Sequence, residues 1–165
     1  MEGRVKMVTL SGKRILLCED HSLNASITIK VLEHEGISVV HANNGKSGLE
    51  LFLNEPDGYF DAILMDISMP VMDGLDAARA IRASAKRDAR TIPIIAMTAK
   101  DCSADRDNSL AAGMNAHFAK PVDPTNLYNI LAALIKPWNG ILGSIGYFKV
   151  LLSVYTFNFY INGLS

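Results

Sequence analysis

Several residues that can do chemistry each stand directly after a short apolar run. Glu19 and Asp20 follow Ile15 to Cys18, Asp66 follows Ala62 to Met65, Thr98 follows Ile94 to Met97, and Lys120 follows Ala116 to Ala119. If those runs are strands of one parallel sheet, their carboxyl ends share an edge, and that edge is where open α/β sheets bind ligands. The edge then carries three carboxylates, a hydroxyl and an ammonium. Carboxylates gathered this closely repel and raise one another's pKa unless a cation sits among them. Magnesium suits such a set, because it takes oxygen ligands, keeps several waters and commonly uses one or two carboxylates with a phosphate. Lys120 adds a second positive charge. A metal, an ammonium, a hydroxyl and a nucleophilic Asp66 together form a site able to receive a phosphoryl group.

Each residue alone has a plainer role. An Asp after a strand caps a helix or forms a turn, Thr98 can cap the next helix, and a lone Lys is a solvated amine. Their joint placement in strand order points to chemistry.

The elements that must position these side chains alternate along the chain. Candidate strands are Ile15 to Cys18, Ser38 to His41, Ala62 to Met65, Ile94 to Met97 and Ala116 to Ala119. Their continuous apolar character suits strands covered by helices on both faces. Between them, Leu23, Ile27 and Val31 repeat every four residues, a second helix is expected around Ser47 to Asn54, and Leu75, Ala78 and Ile81 mark a third. Gly113 can stop the fourth, and Asp123 and Pro124 can open the fifth, followed by Leu127, Ile130, Leu131 and Leu134. The expected class is α/β, a doubly wound five-stranded parallel sheet.

With 165 residues, 49% of them hydrophobic and a formal charge of −1, the chain holds one cored domain and lacks the clustered Lys and Arg of a nucleic-acid groove. Cys18 and Cys102 form no metal-ligand spacing and read as reduced thiols. No apolar stretch of signal-peptide length precedes Lys13-Arg14, so a cytoplasmic location is expected. The expected organisation is a leader over 1–12, the sheet domain over 13–136 and an apolar extension over 137–165. The run from Ile141 to Ile161 approaches membrane-span length, but Gly143, Gly146 and Lys149 argue against a span, and Tyr155, Phe157, Phe159 and Ile161 alternate as a strand would. Helix, strand and a non-native or truncated extension stay open there.

From about Lys13 to about Ile135 the sequence resembles the receiver domain of response regulators. Cys18-Glu19-Asp20-His21 is similar to the family's acidic pair. Met65-Asp66-Ile67-Ser68-Met69-Pro70-Val71-Met72-Asp73-Gly74 resembles its phosphorylation loop, and Ile94-Ile95-Ala96-Met97-Thr98-Ala99 and Ala119-Lys120-Pro121 resemble its later signatures. The resemblance implies a flavodoxin-like sheet in the order 2-1-3-4-5, with Asp66 as phosphoacceptor. It implies that Asp20 and Asp66 bind Mg2+ directly, that Glu19 helps through water, and that the Ser68 carbonyl completes the metal site. Thr98 would turn to bond the acyl phosphate and Lys120 would pair with its oxygens.

Implied partners are a histidine kinase or phosphotransfer protein as donor, and a downstream protein on the face of helix 4, strand 5 and helix 5. Such a chain catalyses only its own phosphoryl transfer in a two-component phosphorelay. The phosphorylation loop, the run from Ile92 to Ala99 and Asn24 look most like receivers of hybrid sensor histidine kinases. One position departs from the family, which often has Tyr or Phe where His117 stands. A protonated His would resist inward burial, making any coupling weaker or pH-sensitive; a half-exposed ring with no switching duty is the other reading. Two further functional readings stand beside the receiver, an aspartate-nucleophile magnesium phosphatase and a receiver that binds partners without phosphorylation. Ser68 stands where such phosphatases usually carry a second Asp.

Overall fold

The apolar runs become five parallel strands. In the computed structural model, which describes residues 9–99 and 103–135, β1 (Arg14–Cys18), β2 (Ser38–Ala42), β3 (Ala62–Asp66), β4 (Ile94–Thr98) and β5 (Ala116–Ala119) form one sheet ordered β2-β1-β3-β4-β5. The connecting helices are α1 (Ser22–His34), α2 (Gly45–Asn54), α3 (Gly74–Ala83), α4 (Ser103–Ala111) and α5 (Pro124–Leu134). The class and strand order are those expected. Strands β1, β2, β3 and β4 each run about one residue beyond the sequence-based bounds at one end, and α2 begins two residues earlier, at Gly45.

Alternation along each strand divides the core between the two faces of the sheet. Leu16, Cys18, Ile63, Met65, Ile94 and Ala96 pack with Phe52 of α2 and Ala77, Ala78 and Ile81 of α3. Ile15, Leu17, Leu64, Ile95, Met97 and Phe118 pack with Ala25 and Leu32 of α1 and Leu127, Ile130 and Leu131 of α5. Each fully buried Leu, Ile, Met or Phe contributes roughly 1.5–3 kcal/mol, which is why the central strands can be apolar throughout. Packing starts before Lys13, since Leu10 is buried in the second cluster and Gly12 N–H donates to the Gly36 carbonyl at 2.8 Å.

Three helices open on the caps their sequences carry. Asn44, Asp73 and Asp123 accept from the N–H groups of Ser47, Asp76 and Asn126 at 2.8, 2.8 and 2.6 Å. Each such cap contributes about 1 kcal/mol. Helix α1 differs, because its N-cap His21 makes no side-chain cap hydrogen bond.

Helix α1 also differs in its packing. The Leu23–Ile27–Val31 repeat forms a helix but faces largely outward: Leu23 is 61% exposed and Ile27 45% exposed, whereas Ala25, Thr28 and Leu32 are buried. Thr28 tolerates burial because its hydroxyl donates to the Asn24 carbonyl at 2.9 Å. Ala25, Thr28 and Leu32 thus form the stripe of α1 that faces the core, and Leu23 and Ile27 are left on the solvent side. Cys18 packs as expected, and burial pushes its thiol up to about 12. Among the described residues no helix is long and apolar enough to cross a membrane. Cys102 and the extension over 137–165 lie outside the described residues.

Candidate functional site

The chain runs from β1 towards β2 on one side and from β3 towards β4 and β5 on the other, so the crevice at the carboxyl ends of β1 and β3 is the topological switch point. Asp66 is the last residue of β3, and Glu19 and Asp20 follow β1 directly. One oxygen from each of these three carboxylates lies within 4.8 Å of the others. From the far side, where β5 ends, Lys120 places its ammonium 2.6 Å from Glu19 Oε2 and 2.7 Å from Asp66 Oδ2. Glu19 is 1% exposed and Asp66 6% exposed, while Asp20 opens to solvent. Ser68, itself exposed, donates its N–H to Asp66 Oδ1 at 3.2 Å, so both oxygens of Asp66 are engaged.

The charges in this crevice shape one another. Burial lifts Asp66 above the ordinary carboxylate range; the Lys120 ammonium opposes that rise, Glu19 adds to it, and the Ser68 N–H opposes it in part. Burial alone would lower the Lys120 ammonium, but hydrogen bonding and charge pairing with Asp66 and Glu19 outweigh it, and its pKa stands above the usual value. Lys120 is therefore a fixed cation. A single ammonium facing three carboxylates leaves the crevice short of positive charge. Glu19 Oε2 is buried and pairs closely with that ammonium. An all-oxygen donor set with one member open to solvent fits a hard divalent cation that retains water.

The other residues singled out from the sequence lie on β4 and β5. Thr98 ends β4 and is buried; its hydroxyl donates to Asp105 Oδ2 in the first turn of α4 at 3.4 Å. The Lys120 N–H donates to the Thr98 carbonyl at 2.8 Å, which ties the hydroxyl-bearing and ammonium-bearing strand ends together. The Lys120–Pro121 peptide is cis. His117 pairs in register with Ala96 on β5 and is half-buried.

The loop from Asp66 into α3 is held by backbone geometry. A Cβ on Gly74 would sit on the Asp66 carbonyl oxygen, so only glycine lets α3 start this close to the acidic strand end. The Gly74 N–H donates to the Ile67 carbonyl at 2.9 Å, closing the loop. At its tip Val71 has φ of 71° and is 81% exposed, an uncommon conformation for a β-branched residue. Strain of this kind gathers at functional loops.

Three contacts were not legible from the sequence. Asn24 Nδ2 donates to Glu19 Oε1 at 3.2 Å, His41 Nε2 lies 2.8 Å from the Glu19 carbonyl oxygen, and Asp105 receives the Thr98 hydroxyl. Asn24 was marked only by resemblance. His41 carried no signal because its partner lies 22 residues away, and Asp105, seven residues from Thr98, carried none because no motif marks it.

A doubly wound sheet with an acidic pocket and an opposed Lys at its switch point defines a class, and comparison with known proteins gives the family. The model of the response regulator receiver domain matches residues 15–132, and the chain belongs to that family. It is 32% identical over 121 residues to hybrid signal transduction histidine kinase I of Dictyostelium discoideum, covering 72% of this chain and 7% of that protein. It is 33% identical over 129 residues to sensor protein GacS of Pseudomonas syringae pv. syringae, covering 78% of this chain and 14% of that protein. The chain thus spans a small part of each of these two relatives. Among solved structures, the receiver domain of sensor histidine kinase PA1611 from Pseudomonas aeruginosa PAO1 is 38% identical with a TM-score of 0.68, covering 76% of this chain and 98% of that one. That structure carries a magnesium ion coordinated in its active-site cleft.

Proposed function

We propose that this chain accepts a phosphoryl group on Asp66 and acts in the cytoplasm as a switched binding module of a two-component phosphorelay. The observation that carries this reading is the Lys120 ammonium 2.6 and 2.7 Å from two buried carboxylates, one of them at the end of the central strand β3. The donor is a phosphohistidine of a histidine kinase or phosphotransfer protein. An Asp66 carboxylate oxygen forms a bond to phosphorus as the phosphorus–nitrogen bond to the imidazole breaks, and the released imidazole takes a proton. Asp66 must be ionised to attack, and Lys120 favours that form. Bound Mg2+, held by Asp20 and Asp66 directly, by the Ser68 carbonyl and by Glu19 through water, would neutralise the phosphoryl oxygens. The magnesium in the PA1611 receiver domain supports this assignment.

Lys120 then pairs with the acyl phosphate, and Thr98 exchanges Asp105 for a phosphoryl oxygen. That exchange frees the start of α4 and alters the α4, β5 and α5 face offered to a downstream protein. His117, half-buried on β5, would follow the change if it has a switching role. Leu23 and Ile27, on the first turns of α1, and Val71, in the loop after Asp66, are exposed apolar side chains close in sequence to the pocket residues, and they suit a docked phosphodonor. The chain turns over no substrate beyond its own phosphoryl group, and its similarity to hybrid kinases makes such a kinase the expected parent chain.

Incubation with Mg2+ and phosphoramidate should add one acid-labile phosphoryl group, read by intact mass, and Asp66→Asn should accept none. Equal labelling of Asp66→Asn would overturn the assignment. Sustained hydrolysis of a phosphomonoester would favour a phosphatase, and an unlabelled wild type a receiver that works without phosphorylation.

A further inference from the structure

Helix α1 starts without a side-chain cap, and the residue at its third position reaches backwards instead. His21 is the N-cap, and Asn24 lies three residues on, where a Glu or Gln often folds back to the N-cap N–H. Here the roles are rearranged. Glu19 Oε1 accepts the His21 N–H at 3.3 Å and Asn24 Nδ2 at 3.2 Å, and the Thr28 hydroxyl anchors the Asn24 turn through its carbonyl at 2.9 Å. A Glu at this position would set a second carboxylate against Glu19. Asn supplies a neutral donor.

The terminal torsion of a Glu side chain is broad and roughly two-fold, so its two oxygens exchange places unless something distinguishes them. Two donors converge on Oε1, and Oε2 is thereby turned inward, 2.6 Å from Lys120. We propose that Asn24 is a positioning residue of the pocket: with the His21 N–H it orients the Glu19 carboxylate so that Oε2 faces the cation and the phosphoryl group. This rests on the phosphoacceptor reading above and adds to it a residue that touches neither reactant. It also accounts for a half-buried polar side chain that follows the exposed Ser22 and Leu23.

The test is magnesium affinity of the full chain, measured by calorimetry and by backbone amide shifts of Asp66 and Ser68. Asn24→Leu keeps the number and branching of side-chain heavy atoms and raises helix propensity while removing the donor; Asn24→Ala serves if that variant does not fold. The expected result is Mg2+ binding weakened about tenfold, the scale of one hydrogen bond to a charged group. In a Glu19→Gln background the same change should cost less than about twofold, because residues acting through one another are not additive. Unchanged affinity in a folded Asn24 variant would overturn the proposal while leaving the phosphoacceptor reading intact, and so would an equal loss in both backgrounds. A wild type that binds no magnesium at millimolar concentration would overturn both.

Discussion

Replacing Lys120 by Met isolates the charge balance of the pocket. Met preserves an unbranched apolar stem and removes the ammonium, leaving Glu19 and Asp66 buried with no protein cation among the described residues bridging them. Two unit charges 4.8 Å apart, the outer limit of the carboxylate oxygens here, repel by about 3.5 kcal/mol at an effective dielectric of about 20. Breaking a buried ion pair from one side costs a similar amount, about 3–5 kcal/mol. Urea unfolding of Lys120→Met at about pH 7.5 in a chelator should therefore show a loss of about 3 kcal/mol, a large share of a domain's stability.

The loss should depend on pH in a defined direction. Burial already holds Asp66 above the ordinary carboxylate range, and Lys120 opposes that shift, so the variant's Asp66 stands higher still. A group whose folded pKa is raised contributes its stability below the unfolded value of about 4 and loses it as pH rises through the folded value. The gap between wild type and variant should accordingly be small at about pH 4 and widen towards neutrality. Magnesium at about 10 mM should close part of the gap at about pH 7.5, since binding to the native state alone adds stability and a divalent ion restores the missing charge. A loss of equal size at both pH values, untouched by magnesium, would refute the electrostatic argument and make Lys120 a packing residue.

Other consequences concern the frame around the pocket. Gly74→Ala should lower stability by about 1–3 kcal/mol in urea unfolding, because its Cβ meets the Asp66 carbonyl, and should slow phosphoramidate labelling more than a remote change of equal cost. On α1, Leu32→Ala should cost about 2–5 kcal/mol, whereas Ile27→Ser should stay within about 0.5 kcal/mol and instead weaken phosphotransfer from a protein donor relative to phosphoramidate.

The sequence by itself determined the architecture and most of the pocket. Strand-length apolar runs separated by helical periods admit few arrangements other than a parallel sheet with helices on both faces, and four of the five runs deliver a chemistry-bearing residue to the same end. Local chemistry also made the opening of α5 legible, since Asp123 needs only its own neighbours to cap that helix. Tertiary structure decided what depends on distant partners. Periodicity marks α1 as a helix, but which stripe is buried depends on how closely it approaches the sheet, and Ala25, Thr28 and Leu32 won over Leu23 and Ile27. The same holds for the acidic pocket. That Lys120 spans Glu19 and Asp66 depends on β5 lying two strands from β3, and that Asn24 orients Glu19 depends on an uncapped helix start. A side chain's type sets what it can bond, while only the fold brings its partner within about 3 Å, the range at which a hydrogen bond forms.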